Sequence, residues 1–185
     1  MVTTETVVET LANLDLQLVR QAKAGDKESF TQLYEQMAAE LYKVALFTVG
    51  SSFDAEDVVS DTFLEAYKGI HSLRDEGSFR PWIMRILHIR CKRKIREIIG
   101  RKSGQDIDEF YDLPAPGAAV EELIEQRTAV GKAMQALSYE ERLIVTLSVL
   151  EGYTIREIAQ VLGHPQGTVS SKLHRTLAKL RKALS

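Results

Sequence analysis

Three observations predict an all-α fold of two small helical domains joined by a flexible acidic linker. Apolar residues recur at three- and four-residue intervals over most of the chain. Pro and Gly are sparse, 4 and 11 in 185 residues, too few for the many turns of an all-β protein. The one long stretch without a period, 100–119, holds Pro114 and Pro116 and separates a first unit, 14–99, from a second, 120–185.

Each element has its own signal. After a polar leader, 1–13, Leu14–Ala24 reads as a short helix closed by Gly25, with Asp26 as the next N-cap. Phe30, Leu33, Tyr34, Met37, Leu41, Val44, Ala45 and Thr48 stand at offsets 0, 3, 4, 7, 11, 14, 15 and 18, a helical stripe that β alternation cannot produce. Gly50 and two serines break it. Asp54 is expected to cap a third helix, with Glu56 and Asp57 in its first turn, where the helix dipole favours anions. Its core stripe is Ala55, Val58, Val59, Thr62, Phe63 and Ala66, and Asp57, Ser60, Asp61 and Leu64 lie opposite. Residues 69–78 form a loop. A long basic helix, 79–99, follows with Pro81 in its first turn and Phe79, Trp82, Ile83 and Ile86 inward.

Beyond the linker, 120–137 is helical. Ser138 with Glu141 and Thr154 with Glu157 fit capping boxes that open helices 139–151 and 155–162. Gly163, His164 and Pro165 turn the chain. A last helix runs to Leu184, with Val169, Leu173, Leu177, Leu180 and Leu184 inward.

Composition excludes several classes. The single Cys91 rules out an intramolecular disulfide framework and any multi-cysteine metal or iron–sulfur site. No apolar run approaches the ~20 residues that span a bilayer. The first residues lack the basic and apolar regions of a signal peptide, so a cytoplasmic protein without direct membrane insertion is expected. Net charge is −2, but it is segregated. Residues 1–79 carry −8, 80–102 carry +8, 103–126 carry −7 and 127–185 carry +5. Two basic surfaces flanking an acidic linker are the electrostatic footprint of polyanion binding.

Residues 154–175 carry the most specific signal. Ala159, Gly163 and Val169 stand where a helix-turn-helix needs a small residue, a flexible turn and an apolar anchor, with Ile155, Ile158 and Leu162 on the core side. Gln166, Ser170, Ser171, His174 and Arg175 then point outward to reach base edges, and Thr168 and Lys172 suit phosphates. The alternative is an ordinary helical hairpin with a basic tail. On the helix from Phe79, Arg85, His88, Lys92 and Arg96 form a basic stripe suited to a DNA backbone, or else a solvated face. The acids Asp54, Glu56, Asp57 and Asp61 read better as caps and an exposed docking face than as a metal or acid–base site, since no histidine or second carboxylate helix accompanies them. Cys91 lies among bases expected to lower its pKa. His88 and His174 read as polar surface residues, and no metal or cofactor is expected.

LDLQLVRQAKAGDKESFTQLYEQ, DAEDVVSDTFLEAYKGI, FRPWIMRI and LSYEERLIVTLSVLEGYTIREIAQVLGHPQGTVSSKLHRTLAKLRKAL, in that order, resemble the extracytoplasmic-function (ECF) sigma factors of bacterial RNA polymerase. The resemblance spans about 14–96 and 120–184. It implies sigma region two and region four, a promoter-specificity role without catalysis, and a linker threading towards the polymerase channels. It implies that Asp54, Glu56, Asp57, Val58, Asp61 and Phe63 dock on the β′ clamp helices. It assigns the 71–78 loop, including His71 and Arg74, with Phe79, Arg80 and Trp82, to capture of a flipped minus-ten base. It assigns Thr168, Ser170, Ser171, Lys172 and Arg175 to the minus-thirty-five element. It also implies a contact with the β flap and a cognate anti-sigma factor, which could hold the protein at the inner membrane face. The family usually has Gln at Ser60, Asn at Ile89 and Asp at Arg93, and often Lys or Arg at Ser170; these departures bear on promoter preference. The competing readings are a free-standing helix-turn-helix regulator and a metal-dependent enzyme built on Asp54–Asp61.

Overall fold

The computed structural model describes residues 15–103 and 129–185. The leader 1–13, nearly all of the expected linker and the start of the helix expected from Val120 lie outside the described residues. Among the described residues there is helix and no strand. The helices are α1 (Leu16–Lys23), α2 (Lys27–Val49), α3 (Ser52–Gly69), α4 (Phe79–Ser103), α5 (Ala129–Gln135), α6 (Tyr139–Val145), α7 (Ile155–Leu162) and α8 (Gln166–Leu184). Two 3-10 turns, Ile70–Ser72 and Glu76–Ser78, link α3 to α4, and a π turn, Thr146–Leu150, extends α6.

The helix starts follow from side-chain caps. Asp15 accepts from the Gln17 N–H at 2.9 Å and Asp26 from that of Ser29 at 3.1 Å. Ser51, not Asp54, caps α3: its hydroxyl accepts from the Asp54 N–H at 3.3 Å, which leaves Asp54 inside the first turn. Both expected capping boxes form. Ser138 and Glu141 exchange bonds of 3.4 and 3.0 Å, and Thr154 and Glu157 bonds of 3.2 and 2.8 Å. The helix expected over 139–151 changes winding after Val145, and the Glu151 N–H reaches back five residues to the Thr146 carbonyl at 3.1 Å.

In the first unit α2, α3 and α4 pack against one another. The α3 stripe is buried as its spacing dictates, from Ala55 to Ala66. On α2 the stripe holds except at Tyr34, which is 44% exposed yet rests its ring 4.4 Å from that of Phe63. The first half of α4 is buried well beyond its expected stripe: Phe79, Ile83, Met84 and Leu87 are all sealed from solvent. The cause is the second unit. Helices α6 and α7 pack onto α2 and α4, and Leu143, Ile144, Leu147, Tyr153 and Ile158 join one apolar core with Leu41, Val44, Ile83 and Leu87. Two sequence units thus fold onto a shared seam. On α8 only Val169 and the unexpected Thr176 are buried; Leu173 and Leu180 are partly covered, and Leu177 and Leu184 are exposed because α5 and α6 cover just one side of the helix.

Gly163 ends α7 at φ +70°, a conformation that costs an L-residue about 1–2 kcal/mol, and a Cβ there would stand 3.5 Å from the Arg85 guanidinium. Gly163→Ala should therefore lower unfolding free energy by about 1–2 kcal/mol in urea titrations. Gly167→Ala, in a helical turn with open space at its Cβ, should instead raise stability by about 0.5–1 kcal/mol.

Candidate docking and nucleic-acid interfaces

The outer face of α3 carries Glu56, Asp57 and Asp61, all exposed, with Asp54 half-buried at its start. Val58 and Phe63, expected on this interface, are 2% and 5% exposed and belong to the core, because they share the inward stripe. Their contribution is to hold the helix, and the face itself is acidic with apolar flanks: Phe53 is 78% and Leu64 60% exposed. Bases from α4 border it. Lys94 pairs with Asp57 and lies 3.6 Å from Asp54; Arg90 lies 3.7 Å from Asp61 and donates to Glu65 at 2.7 Å. The bond to Asp57 raises the Lys94 pKa. Exposed pairs of this kind contribute about 0–1 kcal/mol, so a partner's cations can replace them. No three metal-ligating side chains cluster among the described residues.

The candidate minus-ten residues divide into two groups. His71 and Arg74 are exposed in the 70–78 turn region, whose second turn is shaped by Asp75 accepting from Gly77 and Ser78. Phe79, expected to meet a base, is fully buried, since it opens α4 on its core side. Trp82 is half-buried, its ring 5.8 Å from that of Phe79. Further along the stripe, Lys92 is half-buried and Arg96 exposed.

Arg80 and His88 are half-buried and Arg85 is exposed, and all three are engaged by other parts of the chain. The Arg80 Nε donates to both Glu40 oxygens at 3.1 and 3.2 Å, and Nη2 donates to the Glu151 carbonyl at 2.7 Å. Its guanidinium sits 4.1 Å from the centre of the Tyr153 ring, and the Tyr153 hydroxyl donates to Glu40 at 2.6 Å. Burial lowers the Arg80 pKa, but Tyr153 and Glu40 outweigh it and the net direction is upward. Lys43 pairs with Glu151 at 2.8 Å. Arg85 donates to the Gln160 carbonyl at 2.9 Å, and Arg142, buried at 2% exposure, donates to the Phe47 carbonyl at 3.2 Å near the negative end of α2. His88, read as a surface residue, stacks on Tyr139: Nδ1 lies 2.8 Å from the hydroxyl, which donates to the His88 carbonyl at 3.2 Å. Apart from Arg80 with Glu40, which lie on α4 and α2 of the first unit, each of these contacts joins the first unit to the second.

In the second unit Ala159 and Val169 are buried and Gly163 takes the left-handed turn, so the helix-turn-helix spacing produces that geometry. Gln166, Thr168, Ser170, Ser171, His174 and Arg175 are exposed along α8. Lys172 differs. It pairs with the buried Glu140, which also lies 2.6 Å from His164 Nε2. Burial pushes the Glu140 carboxyl up, while Lys172 and His164 together bring it below its ordinary value. In the sequence Glu140, an acid just after an N-cap Ser, looks like an exposed dipole partner, yet it is buried.

Comparison with known proteins finds one family match in each unit. The family described as Sigma-70 region 2 matches residues 33–98, and Sigma-70, region 4 matches 127–180. The chain is 31% identical to the ECF RNA polymerase sigma factor SigM of Mycobacterium tuberculosis (strain ATCC 25618 / H37Rv) over 92% of this chain and 84% of that protein. It is 24% identical to the ECF RNA polymerase sigma factor SigW of Bacillus subtilis (strain 168), over 90% and 94% of the two chains. Its fold is similar to that of CnrH solved in complex with the cytosolic domain of CnrY, with TM-score 0.71, 24% identity and 92% and 96% coverage. It is likewise similar to the sigma factor RpoE solved with the anti-sigma factor NepR from Bartonella quintana, with TM-score 0.66, 23% identity and 85% and 97% coverage.

Cys91, buried, and His88, half-buried, each yield a prediction. Cys91 is sealed beneath Thr48, whose hydroxyl lies 3.4 Å from Sγ, and burial pushes the thiol up to about 12, opposite to the lowering expected from neighbouring bases. Iodoacetamide at pH 8 should leave it unmodified in the native chain and alkylate it in urea, as read by mass spectrometry. Burial and then Lys92 lower His88 to about 4 from its usual 6.5. The unfolded chain therefore binds the extra proton, and stability should fall as pH drops from about 6.5 towards 4. Urea titrations at pH 7.5 and 5 should show a smaller loss for His88→Asn than for wild type.

Proposed function

The chain belongs to the ECF sigma factors of the sigma-70 family, and from that premise we propose how its residues divide the work of an RNA polymerase sigma factor, which directs core polymerase to promoters and starts transcription. Residues 14–99 form region two and 120–185 region four, joined by 100–119. The acidic α3 face, with Asp54, Glu56, Asp57 and Asp61 between Phe53 and Leu64, docks on the β′ clamp helices. Region four meets the β flap. His71, Arg74 and the α4 residues Arg80, Trp82, Arg85, His88, Lys92 and Arg96 act on the minus-ten element. Flipping a base there costs a few kcal/mol, offset by stacking and hydrogen bonds.

The observation that carries this reading is the pairing of two unlike surfaces on adjacent helices, an acidic docking face on α3 and a basic stripe on α4, with an exposed reader helix in a second unit. A free-standing regulator has no need of the first two. The pairing of Asp54 and Asp57 with Lys94 supports docking over metal chemistry, and no catalytic residue, cofactor or metal is assigned. On α8, Arg175 and its exposed neighbours read the minus-thirty-five bases. Lys172 reaches a phosphate only by leaving Glu140. We place the protein in the cytoplasm, where core polymerase and promoter DNA are; no described helix is long and apolar enough to cross a membrane. The solved relatives captured with protein partners support a cognate anti-sigma factor for this chain also.

The test is transcription in vitro with core polymerase on a promoter library. Asp57→Lys with Asp61→Lys should abolish core binding in a pull-down while circular dichroism stays native. Wild-type binding would remove this face from the interface. Arg175→Ala should relax the upstream preference by about 1–3 kcal/mol of discrimination, while Lys172→Ala should weaken all sequences alike and flatten the salt dependence. Equal shifts of preference in the two variants would overturn the assignment of base and phosphate roles.

A further inference from the structure

We propose that the contact of Lys172 with DNA phosphate is proton-linked: when Lys172 leaves Glu140 for a phosphate, a protonated His164 takes over the carboxylate. The inference rests on the reading of α8 as the DNA-reading helix with Lys172 on a phosphate. It goes beyond that reading by naming the two groups that govern this contact and the pH dependence they give it.

Glu140 lies on α6 and is only 8% exposed. Its two oxygens serve different partners. Oε1 lies 2.6 Å from Nε2 of His164, in the turn between α7 and α8, and Oε2 pairs with Lys172, in the second turn of α8. One partner can therefore depart while the other stays. The two are unequal. Burial raises the Glu140 carboxyl, and Lys172 does more than His164 to bring it back down. A buried carboxylate left without a cation is strongly disfavoured, so the departure of Lys172 throws the burden on His164. A neutral imidazole offers Glu140 an N–H, and an imidazolium offers a charge-assisted bond from the same nitrogen. An ordinary histidine titrates at about 6.5, so that proton is available near neutral pH.

The charges around the pair favour the exchange. Lys172 repels a proton on His164, and its departure removes that repulsion. From α4 comes the fixed charge of Arg85, whose guanidinium lies 3.5 Å from where a Gly163 Cβ would stand. His88, also on α4, feels both Glu140 and His164, but burial and then Lys92 lower it to about 4, so it stays neutral between pH 8 and 6. On α6 the adjacent Glu141 is taken by Lys179. Over that range the charge that changes at the pair is that of His164. The DNA-bound chain holds one more proton than the free chain, so binding tightens as pH falls.

The probe is a fluorescein-labelled duplex of mixed sequence, titrated with the full chain at fixed low salt, at pH 8 and at pH 6. The gain in affinity of wild type from pH 8 to pH 6 should exceed that of His164→Asn by about three- to tenfold, the range that one linked proton gives. His71 and His174, both exposed, titrate in both chains and cancel in this ratio. Lys172→Met separates the exchange from the general field of DNA. With no lysine to leave, His164 holds Glu140 before and after binding, so adding His164→Asn to Lys172→Met should leave the pH gain unchanged. The field of DNA alone would draw a proton to His164 with or without Lys172. A second readout needs no DNA. By nuclear magnetic resonance, His164 should titrate at higher pH in Lys172→Met than in wild type, with circular dichroism confirming a native fold.

An equal pH gain in wild type and His164→Asn, a His164 contribution that survives Lys172→Met, or an unmoved His164 titration in that variant overturns the proposal. The reading of α8 is judged separately. If Lys172→Met weakens binding at pH 8 while the His164 contribution is absent, the phosphate contact stands and the proton linkage falls. If Lys172→Met binds like wild type at both pH values, Lys172 is not a phosphate contact and both fall.

Discussion

Arg80 must find partners for a guanidinium that is largely withdrawn from water, and the rest of the architecture arranges itself around that requirement. A buried charge left alone costs several kcal/mol, so its partners are obligatory. Glu40 comes from α2, the Glu151 carbonyl from the end of the π turn, and the Tyr153 ring from the approach to α7. The change to π winding after Val145 is part of the arrangement, because it brings Glu151 and Tyr153 to the start of α4. Glu40 is held in turn by the Tyr153 hydroxyl at 2.6 Å. These contacts fix the register in which the second unit lies across α2 and α4.

Register and affinity have different sources. A fully buried Leu or Ile contributes about 1.5–3 kcal/mol, and an exposed ion pair about 0–1. The seam of Leu143, Ile144, Leu147 and Ile158 with the α2 and α4 residues therefore holds more free energy than the polar bonds around it. The polar bonds decide where the seam closes, since an apolar face tolerates sliding and the directional bond of the Arg80 guanidinium to the Glu151 carbonyl does not. The same division appears in the helix-turn-helix. Val169 and Ile158 provide the packing, and Glu140, between Lys172 and His164, ties α6 to the reader helix.

Much of this was legible in the sequence, and the misses have a common cause. The α3 stripe, both capping boxes, the Gly163 turn and the exposed face of α8 depend on local spacing, and local spacing is what a sequence displays. Residues whose environment is made by a distant element were misread. Cys91 sits among bases in sequence, but Thr48 and the core surround it in space. His88 looked solvated because Tyr139, 51 positions away, is invisible from its own helix. Val58 and Phe63 carried a docking role by resemblance although their own stripe points them inward. Lys172 appeared as one more base in an acid-free tail, while its partner Glu140 lies on another helix. The two-unit division was visible in the linker's composition. The seam was not, because a helix pattern records that a face is apolar without recording which helix covers it.

The two units close on one core and fold together. Trp82, the sole tryptophan, reports on the first unit, and far-ultraviolet circular dichroism reports on all the helices. Urea unfolding of the full chain, followed by both signals in one titration, is the most direct measurement. A single transition with coincident midpoints is the predicted result. A first loss of ellipticity that leaves Trp82 fluorescence native, followed by a separate fluorescence transition, would show that the second unit melts on its own and would contradict the shared seam.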